Sequence, residues 1–457
     1  MTGDGRGLSL NQEFLCSLDH GETAGGLSQW YTVTCGLRLR GNLDAGALSA
    51  ALNDVAARHE ILRTTLHQEG GRWHQQLHPA GPVSLRLRGS GQSRPWPEPG
   101  SGPADSAGRA AYDLLNEVEA EPFSCAEVPL LRAVLGRLGA DDHVLALTTH
   151  HVASDAWSMQ VIITDLAACY AARAAGLAPG LPPACQYREF TAWQRTRQEA
   201  WSGAAAGHWR ERLAGARIHA LPADRVLPQG APDPYSVHRF VIGRELTQAA
   251  VLLARSARSS LFVVLLAAYN LLASQLTGEC DLVVPTFTAG RGEPRFADMV
   301  GPLYNMLPVR TDVGGCVSFA DVVARTRASC LQAYANEVPF WLILEQAGDL
   351  MAPCGDDRLA VSAFEMLPPP ALAGIERAGD LRYAELRGAR ASAPAGAGTP
   401  KGMLWALDQL RSGELAGLIR FSRDRFSQDT IAGIAAQYRQ VLSAGVAEPA
   451  AQLARSG

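Results

Sequence analysis

The sequence predicts a mixed α/β protein of two domains, and three observations carry that reading. Stretches of apolar–polar alternation, such as Tyr31 to Leu39 and His143 to Thr149, are interleaved with stretches whose apolar residues recur at helical intervals. At 457 residues the chain is too long for one ordinary core. Residues 176–183 hold three prolines and two glycines, the composition of a linker. The boundary is therefore drawn there, giving an N-terminal domain of residues 1–178 and a C-terminal domain of residues 179–457.

Each element has its own local reason. Leu8 to Leu18 reads as a short helix, with Ser9 as N-cap and Gln12 completing a capping box. Tyr31 to Leu39 is a strand, and Asp44 to Arg58 is a helix whose stripe is Ala47, Leu48, Ala51, Leu52 and Val55. The run Arg58 to Leu66 turns into a strand, with Arg72 to Leu77 as its hairpin partner. Gly89 to Gly108, rich in Gly, Pro and Ser, is a loop; Ala110 to Ala120 is a helix. Pro129 to Leu138 and Val144 to Thr149 form a hairpin, and Met159 to Ala174 is a helix. In the second half, helices are expected from Tyr187 towards Leu213, over Ser260 to Leu276, over Phe319 to Asn336 and over Gln428 to Leu442. Strands are expected over Asp281 to Thr288, before Arg310 and over Leu415 to Phe421. Leu386 to Gly402 reads as a mobile loop.

Composition excludes several function classes. Hydrophobic residues make up 47% and charged residues 19%, ordinary for a soluble globular protein. A net charge of -4 gives no electrostatic pull towards nucleic acid or an anionic membrane. No apolar run reaches the length of a membrane span, and Met1 to Arg6 begins no signal peptide. The 9 cysteines are scattered and never spaced as CxxC, which argues against a zinc ribbon or a disulfide scaffold. A cytoplasmic protein is the expectation.

Chemistry concentrates in Thr149-His150-His151-Val152-Ala153-Ser154-Asp155-Ala156-Trp157-Ser158, where a strand hands over to a helix. An imidazole titrates near neutrality and can take a proton from a nucleophile, while a carboxylate can fix its tautomer or brace the loop. A core or capping role is the commoner fate of a histidine. A metal site needs three or four converging ligands, and neither HExxH nor a Cys/His set at ligand spacing is present. The absence of a GxSxG elbow argues against a serine hydrolase. A Cys–His pair stays open.

The stretch HHVASDAWS resembles the HHxxxDG signature of the condensation domains of nonribosomal peptide synthetases. Other segments resemble that family in the same order. Ser9-Leu10-Asn11-Gln12 is similar to its first motif, and Arg58 to Thr64 to its RHExLRT motif. Tyr187 to Trp193 is similar to YxDYAxW, Val300 to Asn305 to GxFVNT, and Asn336 to Phe340 to a later PF element. The departures are Phe14 for the usual Arg, Ala156 for the Gly after the aspartate, Tyr304 for the usual Val, and Met306 for the usual Thr. At Ala156 a backbone that favours glycine is expected to be strained or altered.

The resemblance implies two chloramphenicol-acetyltransferase-like lobes in a V-shaped pseudo-dimer with a central tunnel. It implies a condensation enzyme that joins a carrier-tethered acyl or aminoacyl thioester to an amine or hydroxyl, giving an amide or ester. His151 would act as general base or hold the nucleophile, His150 would pack behind it, and Asp155 would brace the loop by pairing with Arg291 or Arg63. Asn305, Trp157 and Ala156 would be tunnel candidates. No bound cofactor or metal is expected. The substrate would ride on the phosphopantetheine of a peptidyl or acyl carrier protein, as donor and in some reactions also as acceptor, with a small amine or alcohol as the other reactant. With no adenylation or carrier motif in the sequence, a stand-alone enzyme is expected; Gly25-Gly26-Leu27-Ser28 is only superficially carrier-like. Intact histidines argue against heterocyclisation. Two alternatives remain: an acyl-CoA-dependent acyltransferase of the same fold, and a non-catalytic condensation-like domain that recruits a partner.

Overall fold

The computed structural model describes residues 7–19, 25–89, 106–226, 235–367, 376–386, 393–395 and 402–453. In chain order, Leu10–Ser17 (α1) leads to Thr32–Arg40 (β1) and Ala45–Arg58 (α2). A 3-10 turn at Glu60–Arg63 opens the hairpin Thr64–Glu69 (β2) and Arg72–Leu77 (β3). Then come Leu85–Gly89 (β4), Ser106–Glu119 (α3), Leu131–Arg137 (β5), Asp142–His150 (β6) and Ala156–Ala174 (α4). The long helix Tyr187–Arg212 (α5) precedes Ala220–Pro222 (β7), Tyr235–Ile242 (β8), Arg244–Ser256 (α6) and Leu261–Thr277 (α7). Asp281–Thr288 (β9), Asn305–Asp312 (β10), Phe319–Ala335 (α8) and Phe340–Leu344 (α9) follow. The last elements are Leu359–Met366 (β11), Glu376–Ala378 (β12), Leu381–Leu386 (β13), Ala393–Ala395 (β14), Gly402–Gln409 (β15), Leu415–Ser422 (β16) and Gln428–Ala447 (α10).

The mixed α/β class expected from the sequence is the class observed. Helix starts follow the capping chemistry: Ser9 and Gln12 form the expected capping box, and Asp44 and Ser260 accept from the first turns of α2 and α7. Eight strands, β4, β7, β8 and β11 to β15, and the helices α6 and α9 escaped the sequence reading. The expected mobile loop from Leu386 to Gly402 is corrected in part: Ala393–Ala395 pairs with β8, and β15 begins at Gly402. Residues 387–392 and 396–401 of that loop, and residues 90–105 of the expected Gly89–Gly108 loop, lie outside the described residues.

The chain forms two compact units, and a single cut near residue 178 does not describe them. The first comprises residues 1–197, 289–304 and 368–391; the second comprises residues 198–288, 305–367 and 392–457. Hydrogen bonding and burial explain why late segments belong to the first unit. Strand β13 pairs antiparallel with β1, from Gly36 opposite Leu386 to Arg40 opposite Arg382. Phe296, Met299, Val300 and Leu303 are buried in the same core as Leu145, Leu147, Ile162 and Leu166. Sequence distance hides both relationships.

In the first unit the sheet order is β12-β13-β1-β6-β5-β4. Strand β6 is central and buried along its whole length. Helices α2 and α4 pack on one sheet face, while α3 covers Val134, Val144 and Ala146 on the other. Close approach of α3 dictates Gly36, where a Cβ would lie 2.4 Å from a methyl carbon of Leu115.

In the second unit the sheet order is β14-β8-β16-β15-β11-β7, with β9 and β10 as a separate antiparallel pair. Trp405, Tyr438, Tyr269 and Phe364 form an aromatic core between this sheet and its helices. Each such fully buried side chain contributes roughly 1.5–3 kcal/mol of hydrophobic stabilisation. Helix α7 is apolar on most sides because it is buried on most sides. No single helix among the described residues is long and apolar enough to cross a membrane.

His219 lies 1% exposed in the second unit's core, edge-on to Tyr269, and neither ring nitrogen meets a hydrogen-bond partner among the described residues. Burial pushes its pKa down to about 4. The unfolded chain, with an ordinary histidine near 6.5, therefore takes up a proton that the folded chain refuses between pH 6.5 and 4. Stability falls across that window as pH drops, by roughly 3 kcal/mol in total. His219→Leu removes the proton and leaves no polar atom unsatisfied. Calorimetry should show a melting temperature no lower than the parent's at pH 7.5 and a smaller decline between pH 6.5 and 4. An unchanged pH profile would exclude His219 as a source of acid lability.

Candidate active site

Strand β6 delivers two histidines whose environments differ sharply. His150 is fully buried. Its Nδ1 accepts from the Val152 backbone N–H at 3.2 Å, and its Nε2 lies 3.0 Å from the Ser28 carbonyl oxygen. That pairing fixes a neutral ring with the proton on Nε2. Burial is the main reason its pKa is lowered to about 4. His150 ties the end of β6 to the Ser28 turn.

His151 is half-buried and faces two tyrosines. The β1–β6 register sets Thr32 opposite His150, and the His151 N–H continues it by donating to the Tyr31 carbonyl at 2.8 Å. Tyr31 and His151 rings then stack, with centroids 4.5 Å apart and planes 18° from parallel. Tyr304 packs against the same imidazole at 4.9 Å and 58°. The two phenol hydroxyls are hydrogen-bonded to each other at 2.9 Å.

Asp155 caps helix α4 and is the hub of the site's hydrogen bonds. Its Oδ1 accepts from the Ser158 N–H and hydroxyl, each at 2.7 Å. Its Oδ2 accepts from the backbone N–H groups of Leu303 at 3.1 Å and Tyr304 at 3.2 Å. Arg291 completes the shell with a bidentate pair, 2.8 Å to Oδ2 and 3.0 Å to Oδ1. Both side chains are almost wholly shielded, 3% exposed for Arg291 and 5% for Asp155. Burial works against the charge on Asp155, but Arg291 and Ser158 outweigh it and hold the carboxyl below its ordinary pKa.

The segment 300–304 is held from several sides. Ser158 Oγ accepts from the Gly301 N–H at 3.0 Å and lies 2.8 Å from its carbonyl oxygen. Asn11 Nδ2 donates to the carbonyls of Pro302 at 3.0 Å and Tyr304 at 2.6 Å. Tyr187 Oη bonds Ser9 Oγ at 2.7 Å and donates to the Pro302 carbonyl. Two glycines are sterically required. A Cβ at Gly301 would lie 2.1 Å from the Tyr187 ring, and one at Gly290, where φ is +63°, would lie 1.7 Å from the Leu303 carbonyl oxygen. Three sequence motifs, around Ser9, Tyr187 and Val300, thus meet on one short segment.

The other candidates sort clearly. Arg63 does not pair with Asp155; it donates to the His78 carbonyl at 2.6 Å, and Arg291 takes the carboxylate. The motif around it is structural, since Arg58 and His59 both bind Asp165 on α4, at 2.8 and 2.7 Å. Ala156 shows no strain: it is the first residue of α4, and among the described residues Arg258 alone of the non-glycines has a positive φ. Trp157 is 37% exposed, with its indole N–H on the Ala297 carbonyl and the Arg291 guanidinium 5.7 Å from its ring. Asn305 belongs to the second unit, where it donates to Glu337 and the Val338 carbonyl and accepts from the Phe340 N–H. Sequence reasoning missed Tyr31, Ser158 and the role of Asn11. For Tyr31 the available signal was strand register opposite His151, readable only once β1 and β6 are known to pair. Among the described residues, no group of three or more His, Cys, Asp or Glu side chains is placed to hold a metal ion.

The condensation domain family model matches residues 22–352. Chondramide synthase cmdD of Chondromyces crocatus is 31% identical over 96% of this chain, which spans 11% of that protein. A dimodular nonribosomal peptide synthase of Bacillus subtilis is 30% identical over 94% of this chain, which spans 18% of it. Among solved structures, SgcC5 of Streptomyces globisporus, in complex with (R)-(-)-1-(2-naphthyl)-1,2-ethanediol and sucrose, is 40% identical with a TM-score of 0.90. The match covers 98% of this chain and all of that one. The X-domain from teicoplanin biosynthesis is 26% identical with a TM-score of 0.80, over 99% of this chain and 97% of its own. The chain belongs to the condensation domain family of nonribosomal peptide biosynthesis.

Proposed function

We propose that this chain joins an acyl group, delivered as a thioester on the phosphopantetheine of a carrier protein, to a small-molecule hydroxyl or amine. The observation that carries the reading is His151, half-buried on a frame that the Asp155–Arg291 pair, Tyr31 and Tyr304 hold in place. A thioester is already activated, so alignment of the reactants and handling of one proton suffice; alignment alone can lower a barrier by roughly 7–11 kcal/mol. In the step, the hydroxyl oxygen attacks the carbonyl carbon while His151 takes or holds its proton. The C–S bond then breaks, and the proton passes to the departing thiolate. Asp155 and Arg291 brace the loop. A hydroxyl acceptor, and so an ester product, is favoured because the 40% identical SgcC5 was solved with a diol.

A second reading is recruitment of a partner protein without catalysis. It is favoured by a solved complex of the teicoplanin X-domain with OxyB, 26% identical to this chain with a TM-score of 0.76. Against it stands the complete set of His151, Asp155 and Arg291 contacts described above.

Purified protein, given acyl-loaded carrier protein and 1-(2-naphthyl)-1,2-ethanediol or its 2-amino analogue, should release acylated product detectable by mass spectrometry. His151→Ala should lower turnover by about 10²-fold or more with an unchanged melting curve. Acylation from acyl-CoA with carriers ignored would favour the acyltransferase alternative. Unchanged turnover in His151→Ala would remove that residue from the mechanism.

Asp155→Ala leaves the Arg291 guanidinium buried without its counter-charge, so unfolding should become easier by about 3–5 kcal/mol, with turnover falling in parallel. Denaturant titration measures the first and the acylation assay the second. An inactive variant of unaltered stability would instead place Asp155 in the chemistry.

A further inference from the structure

The imidazole of a histidine turns about a soft terminal torsion with no sharp minimum, so a backbone that is well fixed does not by itself fix the ring plane. At His151 the plane is set by what packs on it. Tyr31 lies nearly parallel to the imidazole at 4.5 Å, and Tyr304 meets it at 4.9 Å and 58°. The two tyrosines come from different elements, one preceding β1 and the other from the segment before β10. Their hydroxyls join at 2.9 Å, so the two rings cannot move independently. Tyr304 is pinned through its own backbone as well: its N–H donates to Asp155 Oδ2 at 3.2 Å, and its carbonyl accepts from Asn11 at 2.6 Å.

We propose that Tyr31 and Tyr304 are positioning residues that act as one hydroxyl-linked aromatic clamp, setting the plane of the His151 ring for the reaction. The kinetic part of this inference rests on the condensation reading above; the geometric part does not. The clamp also assigns a route for the influence of Asp155. The carboxylate, fixed by Arg291, orients the Leu303–Tyr304 backbone, and the Tyr304 ring carries that order to the imidazole. Burial raises the Tyr304 phenol well above its ordinary pKa, so its hydroxyl stays protonated near neutrality. Aromatic packing of this kind is directional, because ring quadrupoles favour offset and tilted contacts over free rotation.

The test separates ring from hydroxyl and geometry from activity. In protein labelled with ¹³C- and ¹⁵N-histidine, the His151 ring signal is assigned by its loss in His151→Ala. Ring currents from two flanking phenols should displace it from the other histidines. Tyr304→Phe, which keeps the ring, should leave the signal close to its parent position. Tyr304→Val should move it towards the range of exposed histidines. In the acylation assay Tyr304→Val should lower kcat about tenfold or more while KM changes by less than about twofold; Tyr304→Phe should restore most of the loss. Tyr31→Leu should reproduce the Val result from the other side and serves if Tyr304→Val fails to fold. A His151 signal unmoved by both ring deletions would overturn the clamp. So would a moved signal with kcat unchanged. A signal that moves as expected in a protein that acylates nothing supports the clamp and sinks the condensation reading alone.

Discussion

The first unit depends on one buried ion pair. Asp155 and Arg291 lie 136 residues apart in sequence, yet they meet in a bidentate pair almost wholly shielded from solvent. Two charges removed from water are costly unless every donor and acceptor is met, and a lone charge left behind costs more. Here the cost is met from all sides: Asp155 draws on a helix N-terminus, a serine hydroxyl, two backbone N–H groups and a guanidinium. The pair therefore does more than neutralise charge. It fixes where β6 ends, where α4 begins and where the segment 300–304 returns to the unit.

That constraint explains why the motifs lie so far apart in the chain. Asn11, Tyr187 and Ser158 each bond the same short stretch, Ser9 holds Tyr187 in turn, and Gly290 and Gly301 lack side chains because neighbouring groups occupy the space. The histidine pair divides the remaining work. His150, buried and neutral, is part of the frame; His151 is half-buried and packed on two tyrosines, where the proposed reaction would use it. Two adjacent residues of one type end up with opposite roles because a strand turns successive side chains to opposite faces.

Much of this was legible in the residues. Capping boxes, helical stripes and strand alternation located most elements, since those signals are local. The pairing of Asp155 with an arginine was legible only as a choice between Arg291 and Arg63, because nothing local says which guanidinium arrives. The path of the chain between units was illegible: β13 joins the first sheet across more than 340 residues of sequence, set by hydrogen bonding to Gly36–Arg40 that no window of sequence contains. Tyr31 was missed for the same reason. Its importance comes from register opposite His151, and a tyrosine before a strand carries no local mark of it.

Ala156 and Tyr304 are both departures from the motifs that the sequence resembles, and the structure separates them. Ala156 follows the cap residue and enters the helix at once, with no positive φ that would call for glycine. Nothing near the chemistry needs a glycine there, so the change is a structural substitution with no strain to relieve. Tyr304 adds an aromatic ring and a hydroxyl beside the imidazole, contacts that a valine lacks in both kind and reach. What sets this chain's site apart from the common pattern is thus on the segment facing His151, and it is the Asp155 carboxylate, through two backbone N–H groups, that holds it there.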